Sequence, residues 1–120
     1  INKSKPWRYN MAANFYIKQN DTAPSLEAVL TDSTGRAKSL ILASQIKFNM
    51  STEDGDSLVD LGTCSIVNAT KGIVSYPWQT GDTSNTGTHN AEFQVTYTNG
   101  QIETFPNSAY IKVIIREELG

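Results

Sequence analysis

The sequence has very few of the side chains on which most protein chemistry depends. One cysteine and one histidine occur among its 120 residues. A lone cysteine, Cys64, excludes an internal disulfide framework and any cysteine-based metal cluster. With a single histidine, His89, every nucleophile–base scheme built on imidazole would have to pass through that residue. No G-x-S-x-G, H-E-x-x-H or phosphate-cradling glycine motif is present. No apolar run approaches the roughly 20 residues needed to span a bilayer, and no signal peptide is visible. These absences predict a soluble protein made in a reducing cytoplasm, where a free thiol persists. The first residue is Ile1 rather than Met, as expected of a processed chain or a fragment, and Met11 can be read as a natural start.

The residues that are present suit one folded domain. Charged residues make up 18% and hydrophobic residues 38% of the chain, a balance that disfavours wholesale disorder. A chain of this length can bury roughly two-thirds of the surface its unfolded form exposes, so it needs no metal or disulfide to hold a core. The net charge of −2 gives no general drive toward nucleic acid. The charge is unevenly spread, however. Residues 1–10 hold Lys3, Lys5 and Arg8 without an acid, giving +3, and the other seven bases and twelve acids give −5.

Short β-rich runs alternate with turn signals along most of the chain. Residues 1–12, with Pro6, Trp7 and Tyr9, lack either periodicity and read as an extended arm; residues 13–120 read as the domain. Strands are expected at Phe15–Gln19, Leu26–Thr31, Gln45–Met50, Leu58–Leu61, Cys64–Val67, Ile73–Trp78, Ala91–Thr98, Gln101–Phe105 and Tyr110–Arg116. The alternation of Ile46, Phe48 and Met50 with Lys47 and Asn49 has the period of two of a half-buried strand. Leu40–Ala43 fits a short strand or one helical turn. Gln79–Thr88 is polar throughout and predicts a loop. Asn99-Gly100 predicts a hairpin closed by a type I′ turn. About seven to nine strands with turns every 8–12 residues indicate an all-β, immunoglobulin-like β-sandwich of antiparallel strands.

A search for chemistry finds little. His89, beside the polar loop, is expected to be a solvated loop residue. Glu53, Asp54, Asp56 and Asp60 form the one acidic cluster, but counting Asp54 as the first position of a calcium loop puts Ser65 where a glutamate is needed. A solvated hairpin turn is the better reading. Asp82 in Gly81-Asp82-Thr83 is explained by local turn bonding, and Cys64, in an alternating apolar run, by packing as a small hydrophobe. The Asn-x-Ser/Thr triplets at Asn2, Asn20, Asn49 and Asn68 read as chance in a chain rich in those residues. The inventory predicts no enzyme, no cofactor and no metal. Lys5, Trp7, Arg8 and Tyr9 are the candidate partner-binding residues, since Trp, Tyr and Arg combine large apolar area with a polar handle. Unpaired edge strands are a second candidate surface and make homo-oligomerisation plausible.

The run from about Phe15 to Glu117 resembles the N-terminal domain of upper baseplate proteins of siphophages that infect Gram-positive bacteria. The matching pieces are Phe15-Tyr16-Ile17-Lys18 with Asp21-Thr22-Ala23-Pro24-Ser25-Leu26, and Leu30-Thr31-Asp32 with Gly35. They continue through Ile46-Lys47-Phe48-Asn49-Met50 and Gly72-Ile73-Val74-Ser75-Tyr76-Pro77-Trp78. Gly81-Asp82-Thr83, Gly87, Ala91-Glu92-Phe93-Gln94-Val95, Asn99-Gly100 and Thr104-Phe105-Pro106 complete the set. The resemblance implies an immunoglobulin-like module of the virion, assembled in the host cytoplasm. Its implied partners are other phage structural proteins of the tail, baseplate or capsid, with no nucleic acid or membrane. Capsid decoration and a neck or head-fibre position are alternatives. So is a carbohydrate-binding module with Tyr76, Trp78 and Tyr97 as candidate sugar contacts.

Overall fold

The computed structural model describes residues 14–119 and the backbone of Arg8–Tyr9. Ten strands are present among these residues, and no helix. They are β1 (Arg8–Tyr9), β2 (Asn14–Lys18), β3 (Leu26–Val29), β4 (Ala43–Thr52) and β5 (Ser57–Thr63), then β6 (Ser65–Asn68), β7 (Ile73–Tyr76), β8 (Gly87–Tyr97), β9 (Ile102–Phe105) and β10 (Ile111–Arg116). One sheet runs β1-β3-β7-β6 and the other β2-β10-β8-β4-β5, with β9 paired to β8 off that path. The chain crosses from one sheet to the other between β1 and β2, β2 and β3, β3 and β4, β5 and β6, and β7 and β8. The result is an immunoglobulin-like sandwich.

The strand β8 organises the larger sheet. Most of its length pairs with β4, from Ala43↔Tyr97 to Thr52↔His89. Its opposite side is divided, β10 taking the half from Gly87 to Ala91 and β9 the half from Phe93 to Thr96. The strand β10 then pairs in parallel with β2, Lys112↔Asn14 through Arg116↔Lys18. Parallel strands cannot be joined by a tight turn; here they are the second and the last strands in chain order, so the pairing joins distant parts of the chain.

Period-two alternation places the core. The inward residues are Phe15 and Ile17 on β2, Ile46, Phe48 and Met50 on β4, Ala91, Phe93 and Val95 on β8, and Ile111, Val113 and Ile115 on β10. Leu26, Ala28, Val74 and Tyr76 meet them from the other sheet. At the centre, the Phe48 ring stacks on Tyr76 with centroids 4.4 Å apart and meets Trp78 edge-on at 5.6 Å and Phe93 at 5.2 Å. Phe15 reaches Trp78 at 5.8 Å. Such offset and edge-on pairs add about 0.5–1.5 kcal/mol each beyond the area they bury.

Three local expectations are corrected. Leu40–Ala43 is neither a strand nor a helical turn: Leu40 is buried, Ile41 and Leu42 form an exposed turn, and β4 begins at Ala43. The polar loop ends sooner than expected, because β8 starts at Gly87. The β8–β9 hairpin forms, but not with a type I′ turn. Gly100 N–H donates to Tyr97 O at 2.9 Å, and in this turn only Gly100 has a positive φ, 89°. That is a three-residue loop, a type I-like turn followed by a glycine bulge. Thr98 N–H donates to Leu42 O at 2.9 Å, and Asn99 Oδ1 accepts from Gln101 N–H at 2.9 Å. Asn99 is not in the left-handed conformation that a type I′ turn requires.

Candidate functional site

The residues expected to carry contacts or chemistry fall into four places. Lys5 and Trp7 lie outside the described residues. For Arg8 and Tyr9 the backbone alone is described: it pairs in parallel with β3, Arg8↔Glu27 and Tyr9↔Ala28, at the margin of the smaller sheet.

His89 is not a solvated loop residue. It lies inside β8, opposite Val113 and Thr52, and is 3% exposed. It stands two residues before Ala91 on the inward-facing row of that strand, which is why it is buried. One ring nitrogen, Nε2, lies 2.8 Å from Asn85 O. A carbonyl oxygen only accepts, so Nε2 is the donor in this contact. Nδ1 has no hydrogen-bond partner among the described residues, and the same holds for Trp78 Nε1. The arrangement joins the imidazole to the loop that carries Asn85.

The acids serve turns and the framework. Glu53, Asp54, Gly55 and Asp56 form the exposed β4–β5 hairpin, closed by Thr52 N–H to Asp56 O at 2.8 Å. Among the described residues no three His, Cys, Asp or Glu side chains are grouped to hold a metal ion. Asp82 is a turn residue, as its sequence context predicts, and it also has a long-range role. Its Oδ2 accepts from Gln79 N–H at 2.8 Å and from the Tyr76 hydroxyl at 2.5 Å, tying the loop to the aromatic core. Burial and the neighbouring Asp82 carboxylate both raise the Tyr76 pKa above the ordinary phenol value, burial more strongly. Asp32 accepts from Thr34 N–H and Oγ1 and from Arg36 N–H, and its pKa is lowered first by the Thr34 side-chain bond. Cys64 joins β5 to β6, packs partly buried against the core, and has its thiol pushed up to about 12 by desolvation.

Two of the three candidate sugar-binding aromatics, Tyr76 and Trp78, are buried in the core and present no ring to solvent. Tyr97 is half-buried beside a groove of about 460 Å³ whose lining includes Lys38, Ser39, Leu42, Asn99 and Gln101. Its hydroxyl donates to Glu103 at 2.8 Å, and Lys38 Nζ sits 5.8 Å from the ring centroid and 3.4 Å from the same carboxylate. Burial first, and then Glu103, raise the Tyr97 pKa.

The residues that sequence reasoning missed are the exposed apolar ones. Ile41 and Leu42 project from a turn, Ile102 lies on β9, and Leu61, Ile66 and Val67 lie along one side of the sandwich. On β6 no residue is buried. The absence of charge from Ser65 to Asn68, on a strand too short to alternate clearly, was the available signal.

No protein-family model matches the sequence, and no curated protein matches it. Among solved structures it is similar to CopC from Methylosinus trichosporium OB3b, with a TM-score of 0.53 and 7% identity over 90% of this chain and 88% of that one. At that identity the likeness is one of fold, and CopC is a further example of the sandwich architecture.

Proposed function

We propose that this chain is a non-enzymatic structural module of a bacteriophage virion that acts by binding other proteins. One observation carries the reading. Histidine, cysteine and the key acids are committed to core packing, turns or framework bonds, whereas large apolar side chains are exposed on strands and at turns. A body of this kind offers surface for recognition rather than a pocket for reaction. The sequence resemblance to upper baseplate proteins supplies the context, a tail or baseplate adaptor. Capsid decoration, or a neck or head-fibre position, uses the same physical properties with different neighbours. A carbohydrate-binding module is the lesser alternative, since Tyr76 and Trp78 are buried and Tyr97 is tethered to Glu103.

The partners proposed are other phage structural proteins together with further copies of this chain, and the location is the virion. The test is to locate the protein in purified particles and to delete residues 1–10. Removal of the arm should weaken incorporation and leave the sandwich folded. Unchanged incorporation would remove Lys5, Trp7, Arg8 and Tyr9 from the contact surface.

A further inference from the structure

We infer that the N-terminal arm guards the edge of β3 in its own chain. While the backbone of Arg8–Tyr9 is paired there the strand is closed to other chains, and a chain whose arm is drawn away self-associates through the bared edge. This goes beyond the assembly reading, since it gives the arm a role before any partner arrives. A strand at the margin of a sheet offers unpaired N–H and C=O groups to other chains, and proteins blunt such margins with lysine, proline, bulges or a covering segment. The other marginal strands are blunted within themselves. The strand β2 carries Lys18, and β9 runs into Pro106. The strand β5 slips twice in its register with β4 and holds Leu61 at a φ of 54°, and β6 slips between Ile66 and Asn68. Leu26-Glu27-Ala28-Val29 of β3 has neither lysine nor proline and pairs with β7 in consecutive registers without a slip. What closes β3 is β1, in the registers Arg8↔Glu27 and Tyr9↔Ala28.

The backbone also says which groups the arm covers. Leu30 N–H, directly after β3, donates to Gly72 O at 2.8 Å on the β7 side. Successive residues of a strand turn their N–H and C=O to opposite neighbours, so Leu26 and Ala28 face β7 while Glu27 and Val29 face outward. A residue in a parallel ladder bonds to the two neighbours of its opposite residue. Tyr9, opposite Ala28, therefore meets Glu27 C=O with its N–H and Val29 N–H with its C=O. The tether makes the chain's own arm the occupant. Cys64 alone separates β5 from β6, so those margins adjoin, and β1 and β2 lie together at the other side. Four residues link β1 to β2; extended, they reach about 13 Å, more than the about 10 Å between packed sheets. The link holds the arm beside β3 at a high effective concentration, against which a strand from another copy competes poorly. Two register pairs are few, however, so a partner that engages the basic, aromatic arm can draw it off and bare Glu27 and Val29.

Amide exchange and sedimentation velocity on three chains test this: the wild type, Tyr9→Pro, which removes the N–H that meets Glu27, and a chain lacking residues 1–10. The wild type should stay monomeric and protect the Val29 amide. At low concentration both variants should exchange that amide about tenfold faster, the worth of a hydrogen bond, with Ala28 unchanged. As concentration rises both should form dimers or larger species, and the Val29 amide should regain protection. Equal Val29 exchange in all three chains, or variants as monomeric as the wild type, overturns the proposal. Folding of the shortened chain is read from Trp78, then its one tryptophan; if that chain does not fold, Tyr9→Pro in the full chain decides alone. A particle without this chain would refute the virion reading and leave the guard standing. An unguarded chain that stays monomeric would refute the guard and leave the virion reading standing.

Discussion

Gly62 sits where an added methyl group has nowhere to go, and replacing it with alanine tests the packing of the core directly. An added Cβ would lie 2.5 Å from Tyr76 Cε1 and 3.0 Å from Val59 Cγ1. The Tyr76 ring cannot easily yield. It is 2% exposed, stacked on Phe48 at 4.4 Å and edge-on to Trp78 at 5.3 Å, and its hydroxyl is bonded to Asp82 at 2.5 Å. Forcing extra volume into a well-packed core costs about 1–3 kcal/mol. In a domain near 100 residues each kcal/mol moves the melting midpoint by about 4–8 °C, so Gly62→Ala should lower it by roughly 5–20 °C. Urea unfolding should show a lower midpoint with an unchanged slope. Tyr76→Phe separates the tether from the packing. Without the hydroxyl bond to Asp82 the ring can shift, so Gly62→Ala should cost at least about 0.5 kcal/mol less in that background, as contacting residues couple. A Gly62→Ala variant within about 0.5 kcal/mol of wild type, like an ordinary surface change, would refute the packing argument. Equal costs in both backgrounds would refute the tether.

Further predictions follow from the titrating groups and the hairpin. Cys64, pushed up to about 12, should be alkylated slowly at mildly alkaline pH in the folded protein and rapidly in urea, as followed by mass spectrometry. The Asp32 carboxyl should titrate below 3.8 by NMR and move back up in Thr34→Ala. Its lowered value means that its contribution to stability is present above the unfolded pKa and lost as pH falls through the folded one. Tyr76 and Tyr97 have the opposite sign: their raised values give a contribution present below pH 10 and lost at higher pH. Alkaline unfolding should therefore coincide with their ionisation by absorbance. Gly100→Ala, at φ 89°, should cost about 1–2 kcal/mol from the left-handed backbone alone, since nothing lies near the added Cβ.

The parts of the fold legible in the sequence were those governed by local alternation. Ile46, Phe48 and Met50, and Ala91, Phe93 and Val95, point into the core as their spacing requires. Asn99-Gly100 marks a hairpin, yet its loop has three residues, and Thr98 within it donates to Leu42 O, a partner remote in the chain. His89 was legible in part. The inward row read back from Phe93 through Ala91 reaches it, but its polar neighbours Thr88 and Asn90 disguised the strand. The parallel β2–β10 pairing had no sequence mark, because register between distant strands depends on the whole sheet. The Leu61 irregularity was likewise hidden. Its φ of 54° is held by Asn49 Oδ1 accepting the Leu61 N–H at 2.7 Å, a contact between two strands. The exposed apolar edge was missed for a related reason: four residues of β6 are too few for a periodic pattern to show which face is buried.

Electron cryo-microscopy of the intact particle tests the account at its centre. The account predicts this sandwich in repeated copies, wedged between structural subunits, with the surface around His89 closed. A particle without the chain, or a copy whose His89 end opens onto a bound substrate, would contradict it.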